Sequence, residues 1–244
     1  MSRRSARTSQ QAAVSSAKVA ARPRRSRKIL LSIIAVIIVF AAWAAFDLIG
    51  PRSTSLRQFD ASEVARLETA MWRSYYDKQR FLLFRQLAEL MRTQYRLPYF
   101  RSNAVAFQAA KAAFVFKEGH GRSDYEKALP NLMNFYRAIH QVGDVNFDID
   151  RATKLELEWW IIHRERKQYG REALERALAE LPAEIYQIPA DRLMEHARLR
   201  AEAMLIRDDK AEAGGLSEAD WKRIDELLHA SWQSLWKAVN SPHG

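Results

Sequence analysis

The chain contains no cysteine in its 244 residues. No disulfide can therefore staple it, and no thiolate is available as a nucleophile or a metal ligand. Glycine is scarce, with eight residues. No stretch alternates apolar and polar residues with the period of two that a half-buried strand needs. The short patterns that carry chemistry are also missing. There is no zinc-protease helix motif, phosphate-cradling glycine loop, dinucleotide glycine pattern or nucleophile-elbow serine. The sequence accordingly names no catalytic residue and no cofactor.

Asp and Glu are absent from 1–28, and the run 29–46 that follows is uncharged, with Ser32 its only clearly polar side chain. About 20 apolar residues in helical geometry cross a bilayer core, with a usable range of roughly 17–25. The pattern predicts a single transmembrane helix over 29–48. Nine of the 39 basic residues lie in 1–28, which leaves 30 basic against 29 acidic residues for the rest. The strongly basic character therefore belongs to the leading segment. The nearly neutral remainder lacks the net charge of a nucleic-acid-binding domain.

Arg22, Arg24, Arg25, Arg27 and Lys28 directly precede the apolar run, whereas only Asp47, Arg52 and Arg57 follow it closely. Basic residues within about 15–20 positions of a span hold that side in the cytoplasm. The expected arrangement is a cytoplasmic N-terminus and a translocated C-terminal domain, periplasmic if the cell is a bacterium. The expected location is then the bacterial cytoplasmic membrane. Ala42-Trp43-Ala44 offers a possible signal-peptide cleavage site, but the apolar run exceeds the roughly 7–15 residues of a typical signal peptide. An uncleaved anchor is the preferred reading.

Residues 1–28 are Ser-, Ala- and Arg-rich without an apolar period, and read as a disordered basic tail. Residues 49–59 read as a linker, and 60–240 as an α-helical extracytoplasmic domain. Asp60-Ala61-Ser62-Glu63 is a capping-box pattern that opens a helix running to about Arg96, where Leu97-Pro98 stops it. A second helix covers 101–118. A third begins at a capping box in Ser123-Asp124-Tyr125-Glu126, is kinked by Pro130, and ends near Gly143. A fourth starts after Asp148 or Asp150 and runs to Tyr169. Leu155, Leu157, Trp159, Trp160, Ile161 and Ile162 cover most of its circumference, which predicts a central buried helix.

A fifth helix covers 171–181 and continues brokenly past Pro182 to Tyr186. A sixth runs from near Pro189 to about Ala213, and Ser217 caps a last one through Val239. The fold class is all-α: one transmembrane helix and a seven-helix soluble domain, either a bundle or a short stack of antiparallel helical hairpins. Asp124-Tyr125-Glu126-Lys127-Ala128-Leu129 resembles the opening of the second helix of a tetratricopeptide repeat. The resemblance covers one helical turn, and the first-helix signature and the regular period are missing.

Four segments mix charge with aromatics: 68–77, 156–165, 195–208 and 225–232. Glu156, Trp160 and His163 share one stripe of the fourth helix, and Glu158, Ile162 and Glu165 another. A carboxylate on a buried helix must be paired, hydrogen-bonded or protonated. The candidate polar pocket is Glu68, Arg73, Asp77, Glu156, Glu158, His163, His196, Arg200 and Glu202. These residues suit a metal, a small polar ligand or proton movement; they equally suit ion pairs that fix helix register, with Arg73, Arg198, Arg200 and Arg207 as partners. Glu226-Leu227-Leu228-His229 is the one Glu-x-x-His sequence, whereas a di-metal carboxylate bundle needs two.

The sequence thus points to a membrane-anchored helical domain that binds another protein or scaffolds an assembly at the cell envelope. The expected partners are a lipid bilayer, through 29–48, and a protein. The alternative is a ligand- or metal-binding bundle built on the candidate pocket.

Overall fold

A computed structural model describes residues 24–241. Among them the chain is all-helical, with no strands. It divides into two compact units, Met1–Ala44 and Ala45–Gly244.

Helix α1 (Arg24–Ile49) accounts for the described part of the first unit and reaches into the second. It begins at Arg24, within the basic segment and before Ile29. Its portion Arg27–Ile49 is long and apolar enough to cross a membrane, and an 18-residue apolar stretch within it buries no side chain. The expected disorder of the leading tail lies outside the described residues up to position 23.

The second unit contains α2 (Ala61–Tyr76), α3 (Arg80–Tyr95), α4 (Tyr99–Glu118), α5 (Arg122–Tyr125), α6 (Leu129–His140), α7 (Ile149–Arg164), α8 (Arg166–Tyr186), α9 (Met194–Glu212) and α10 (Glu218–Asn240). Helices α2, α3 and α4 pack in succession, α4 meets α6, and α6 to α10 again pack in succession. Helix α10 then packs on α2 and closes the cycle. Side-chain hydrogen bonds give the direction of this last contact. Arg73, late in α2, bonds Glu218 at the start of α10, and Gln233, late in α10, bonds Ser62 near the start of α2. The two helices are antiparallel.

The helix ends follow local chemistry. Asp60 accepts from the Glu63 amide, Asp148 from the Arg151 amide, and Ser217 forms a full capping box with Asp220. The box expected at 60–63 is half made, because the Glu63 carboxylate turns to Arg66. The one expected at 123–126 is not made. Its helix starts one residue earlier behind Gly121, and a 3-10 turn (Glu126–Ala128) follows. Pro130 then lies in the first turn of α6, where its missing N–H costs little. The repeat-like hexapeptide is thus divided among α5, that 3-10 turn and α6.

Two expected helices prove to be broken. The chain turns at 77–79, splitting the predicted 60–96 helix into α2 and α3, with Lys78 left-handed at φ 58°. No glycine or proline marks this turn, so the apolar period runs through it unbroken. Helix α7 ends at Arg164, and Gly170 adopts φ 80° within α8. Nor is α7 the central helix. Trp159 and Trp160 are only half-buried, and α8 and α10 carry more buried residues than α7.

The segment expected as a linker joins the core. Leu56 is wholly buried, Phe59 packs against Tyr186 and Trp232, and the Thr54 amide donates to the Val142 carbonyl at 2.7 Å. Gly143 permits this approach, since a Cβ there would lie 2.8 Å from a Leu56 methyl.

Lys78 sets the α2–α3 turn at a conformational cost of roughly 1 kcal/mol for a residue with a Cβ. Lys78→Gly should leave stability unchanged or raise it, while Lys78→Val should lower it by about 1 kcal/mol or more. Urea midpoints of the three chains, compared at equal slope, check this order.

Candidate functional site

Glu68 is the most constrained of the predicted polar residues. It lies mid-way along α2 and is 4% exposed. Its Oε1 accepts from Nε and Nη2 of Arg200 at 3.1 and 2.7 Å, and its Oε2 accepts from the indole N–H of Trp232 at 2.6 Å. Arg200 reaches in from α9 and stacks over Trp159 of α7, 5.5 Å from the ring centre. One carboxylate thereby joins α2, α9 and α10, and its guanidinium partner touches α7.

His196 lies one turn before Arg200, is buried, and faces Trp232 at 5.5 Å between ring centres. The Ser231 hydroxyl donates to the His196 carbonyl, and His196 Nδ1 lies 3.0 Å from the Ser231 carbonyl and 2.8 Å from its hydroxyl oxygen. With two oxygens facing it, Nδ1 carries the proton of the neutral ring. Burial first, and then the Arg200 charge, lower the His196 pKa to about 4.

Glu156 is satisfied separately. The Tyr136 hydroxyl donates to Oε2 at 2.5 Å and the Trp160 indole donates to Oε1 at 2.8 Å. Burial, and then the Glu156 charge, push the Tyr136 phenol well above its ordinary range, so it stays a donor.

His163 belongs to a third group. Its Nε2 is 2.6 Å from Asp208 Oδ2, while Arg207 and the Tyr76 hydroxyl donate to Asp208 Oδ1 at 2.7 and 3.3 Å. Arg207 also lies over Trp72, 4.5 Å from the ring centre. Burial works against the Asp208 charge, but the hydrogen bond to His163 and the Arg207 charge outweigh it and hold the carboxyl at about 2.

The remaining predicted residues do not join these groups. Arg73 pairs with Glu218 over the Trp221 ring, and Glu158 pairs with exposed Arg122. Glu202 meets Arg223 at 2.9 Å and Arg171 at 3.8 Å. Asp77 is exposed at the C-cap of α2. Of the arginines expected as partners, Arg200 and Arg207 reach interior carboxylates, whereas Arg198 pairs with its neighbour Glu195 on the surface. Tyr136, Asp208 and Trp232 complete the interior groups and were not among the predicted residues. Asp208 carried a signal, standing beside Arg207 in one of the charge-and-aromatic segments.

These contacts join helices that lie far apart in the sequence. Both oxygens of Glu68 and of Glu156 already accept hydrogen bonds. No group of three or more His, Asp or Glu residues among those described is placed to hold a metal ion. Two surface depressions lie elsewhere. One, of about 380 Å³, is lined by Arg52, Ser53, Thr54, Ser55, Arg96 and Val142. The other, of about 680 Å³, includes Phe59, Gln233 and Trp236. None of the nine predicted residues lines either. Compared with known proteins, the chain matches no family model, no curated protein and no solved structure.

The buried imidazole gives stability a defined pH dependence. The His196 pKa is lower folded, at about 4, than in the unfolded chain, near 6.5. The unfolded chain therefore binds the extra proton between these values, and stability falls as pH drops from 6.5 to 4. The full loss is about 3 kcal/mol at 1.36 kcal/mol per unit. Urea unfolding at several pH values should show this slope in the native chain, reduced by close to one proton in His196→Gln.

Proposed function

We propose that this protein is a single-pass membrane-anchored helical domain that binds another protein, or scaffolds an assembly, at the cell envelope. The observation that carries the proposal is the apolar helix portion Arg27–Ile49, whose large apolar side chains are all exposed. In water such a surface is strongly unfavourable, at roughly 25 cal/mol per Å² of apolar area. A bilayer removes that cost. The basic residues before the apolar run 29–46 favour a cytoplasmic N-terminus and an extracytoplasmic domain, in a bacterium the periplasmic side of the inner membrane. Trp43, near the far end of the helix, suits a membrane–water interface.

Protein binding draws support from the surface of two neighbouring helices. Phe81 at the start of α3 is 94% exposed, and Phe107 and Phe114, seven residues apart on α4, are 54% and 66% exposed. Seven residues is close to two helical turns, so Phe107 and Phe114 share a face. Exposed apolar patches on folded domains mark interaction sites. Lys111 rests over the Phe107 ring and keeps this face soluble. The alternative of a ligand- or metal-binding pocket built on Glu68, Glu156 and the histidines draws no such support, because both oxygens of each glutamate are engaged with neighbouring side chains and no described group of three His, Asp or Glu could hold a metal.

A photo-crosslinking side chain at Phe107 or Phe114 in cells should give one discrete protein adduct, absent when the probe replaces exposed Lys222 on α10. Phe107→Glu should abolish the adduct formed from position 114 while changing stability by no more than about 0.5 kcal/mol. Protease added outside intact spheroplasts should digest the domain and spare an N-terminal tag. Adducts of equal yield from all three positions, or a protected domain, would contradict the proposal.

A further inference from the structure

The end of α1 is held by the domain. Residues 45–50 belong to the second unit. Asp47 is 4% exposed and accepts from the Phe100 amide at 2.5 Å, while Arg101 donates to the carbonyls of Leu48 and Gly50, each at 2.8 Å. The chain then turns tightly at Gly50 and runs into the depression of about 380 Å³ lined by Arg52, Ser53, Thr54, Ser55, Arg96 and Val142.

The lining of this depression is cationic and under-used. Arg96 is exposed, stands in the left-handed region at φ 53°, and its guanidinium makes no hydrogen bond or ion pair among the described residues. Arg52 has one ionic neighbour there, Asp47, at 3.8 Å, too far for a hydrogen bond. The hydroxyls of Ser53, Thr54 and Ser55 are unengaged among the described residues. No carboxylate lines the depression. Asp47 and Asp144, both close along the chain, are committed respectively to the Phe100 amide and to the Leu56 amide at 3.0 Å. Other arginines near the anchor have structural duties. Arg57 caps the ends of α8 and α10 through the carbonyls of Tyr186 and Val239, and Arg101 caps α1. Arg52 and Arg96 have none, and Arg52 runs against the charge bias that sets the orientation of the span.

We infer that this depression binds a phosphoryl group, supplied by a phospholipid headgroup or by free phosphate. Two guanidinium forks match phosphate oxygens in geometry and charge, and three hydroxyls add donors. The volume lies within the range of small-ligand pockets, roughly 300–1,000 Å³. The lipid source rests on α1 crossing a bilayer, as proposed above. A chain extends at most about 3.5 Å per residue, so Arg52 lies within about 10 Å of Ile49. The headgroup layer on each side of a bilayer is about 5–8 Å thick. Arg52 is thus within reach of lipid phosphates in the leaflet where α1 ends.

The test uses the purified full chain in neutral detergent, titrated separately with short-chain phosphatidylglycerol and with inorganic phosphate, and read by ³¹P line broadening. The comparison is the double variant Arg52→Gln/Arg96→Gly, in which glycine accepts the left-handed backbone and keeps the turn. The native chain should bind at least one of the two probes, and the variant should bind it about tenfold more weakly or worse. Binding of the lipid alone assigns the site to a headgroup; binding of inorganic phosphate assigns it to the free anion. Binding of neither, or equal binding by the variant, overturns the site. Flotation of the same chain with neutral phosphatidylcholine vesicles separates this result from the anchor. A chain that floats without binding either probe retains its anchor and loses the site. A chain that fails to float refutes the anchor and the lipid source together, and the inorganic phosphate titration alone then decides the site.

Discussion

An unpaired carboxylate in an apolar interior is too costly to exist, and Glu68 stands in one. The surrounding fold answers that constraint. Arg200 and Trp232 are the two groups that satisfy it, and they come from α9 and α10. Bringing them to Glu68 brings the end of the chain back to α2, and that contact closes the cycle of neighbouring helices. The same geometry places His196 against Trp232 and Arg200 over Trp159, so one carboxylate organises much of the interior around it. Hydrophobic burial supplies most of the stabilisation, since Leu228, Ile224 and Leu235 of α10 are fully enclosed. The carboxylate supplies direction: apolar side chains tolerate several packings, whereas a carboxylate with a two-pronged guanidinium on one oxygen and an indole donor on the other tolerates few.

A chain without cysteine must fasten its helix ends by other means, and guanidiniums do so here. Arg57 holds two helix C-termini at once. Arg101 holds the end of α1. Arg164 donates to the carbonyls of Phe116 and Gly119 at the end of α4, and lies over the Phe116 ring, 4.1 Å from its centre. The last carbonyls of a helix have no partner within it and carry partial negative charge, so each site gains hydrogen bonds and a favourable dipole contact. Distributed over the domain, these contacts join segments far apart in sequence. The 51–59 stretch is the clearest case, because Leu56 and Arg57 fix it to the core where its composition alone suggested a free connector.

The helices were legible in the sequence wherever a breaker or a cap marked their ends. Asp60, Asp148 and Ser217 start helices, and Pro98 and Gly170 interrupt the pattern where the backbone does. The turn at 77–79 was illegible because its residues are ordinary helix formers and the left-handed position falls to a lysine. The early end of α7 at Arg164 was missed for the same reason. The polar residues were legible one helix at a time. That Glu156 and His163 share a stripe of α7 follows from spacing, but their partners Tyr136 and Asp208 sit on other helices, and sequence spacing carries no information about which helices meet. Glu158 and Glu202 read like interior carboxylates, yet they face Arg122 and Arg223 at the surface, because a stripe one position round the helix points outward.

Glu68 and Arg200, with Trp232, form a structural lock joining α2, α9 and α10. A double-mutant cycle with Glu68→Gln, Arg200→Met and the combined variant, followed by urea unfolding at neutral pH, measures that lock directly. Each single substitution should cost about 3–5 kcal/mol by stranding a buried partner. The pair together should cost less than the sum of the two, by about 2 kcal/mol or more. Single substitutions near wild-type stability with strictly additive effects would contradict the lock.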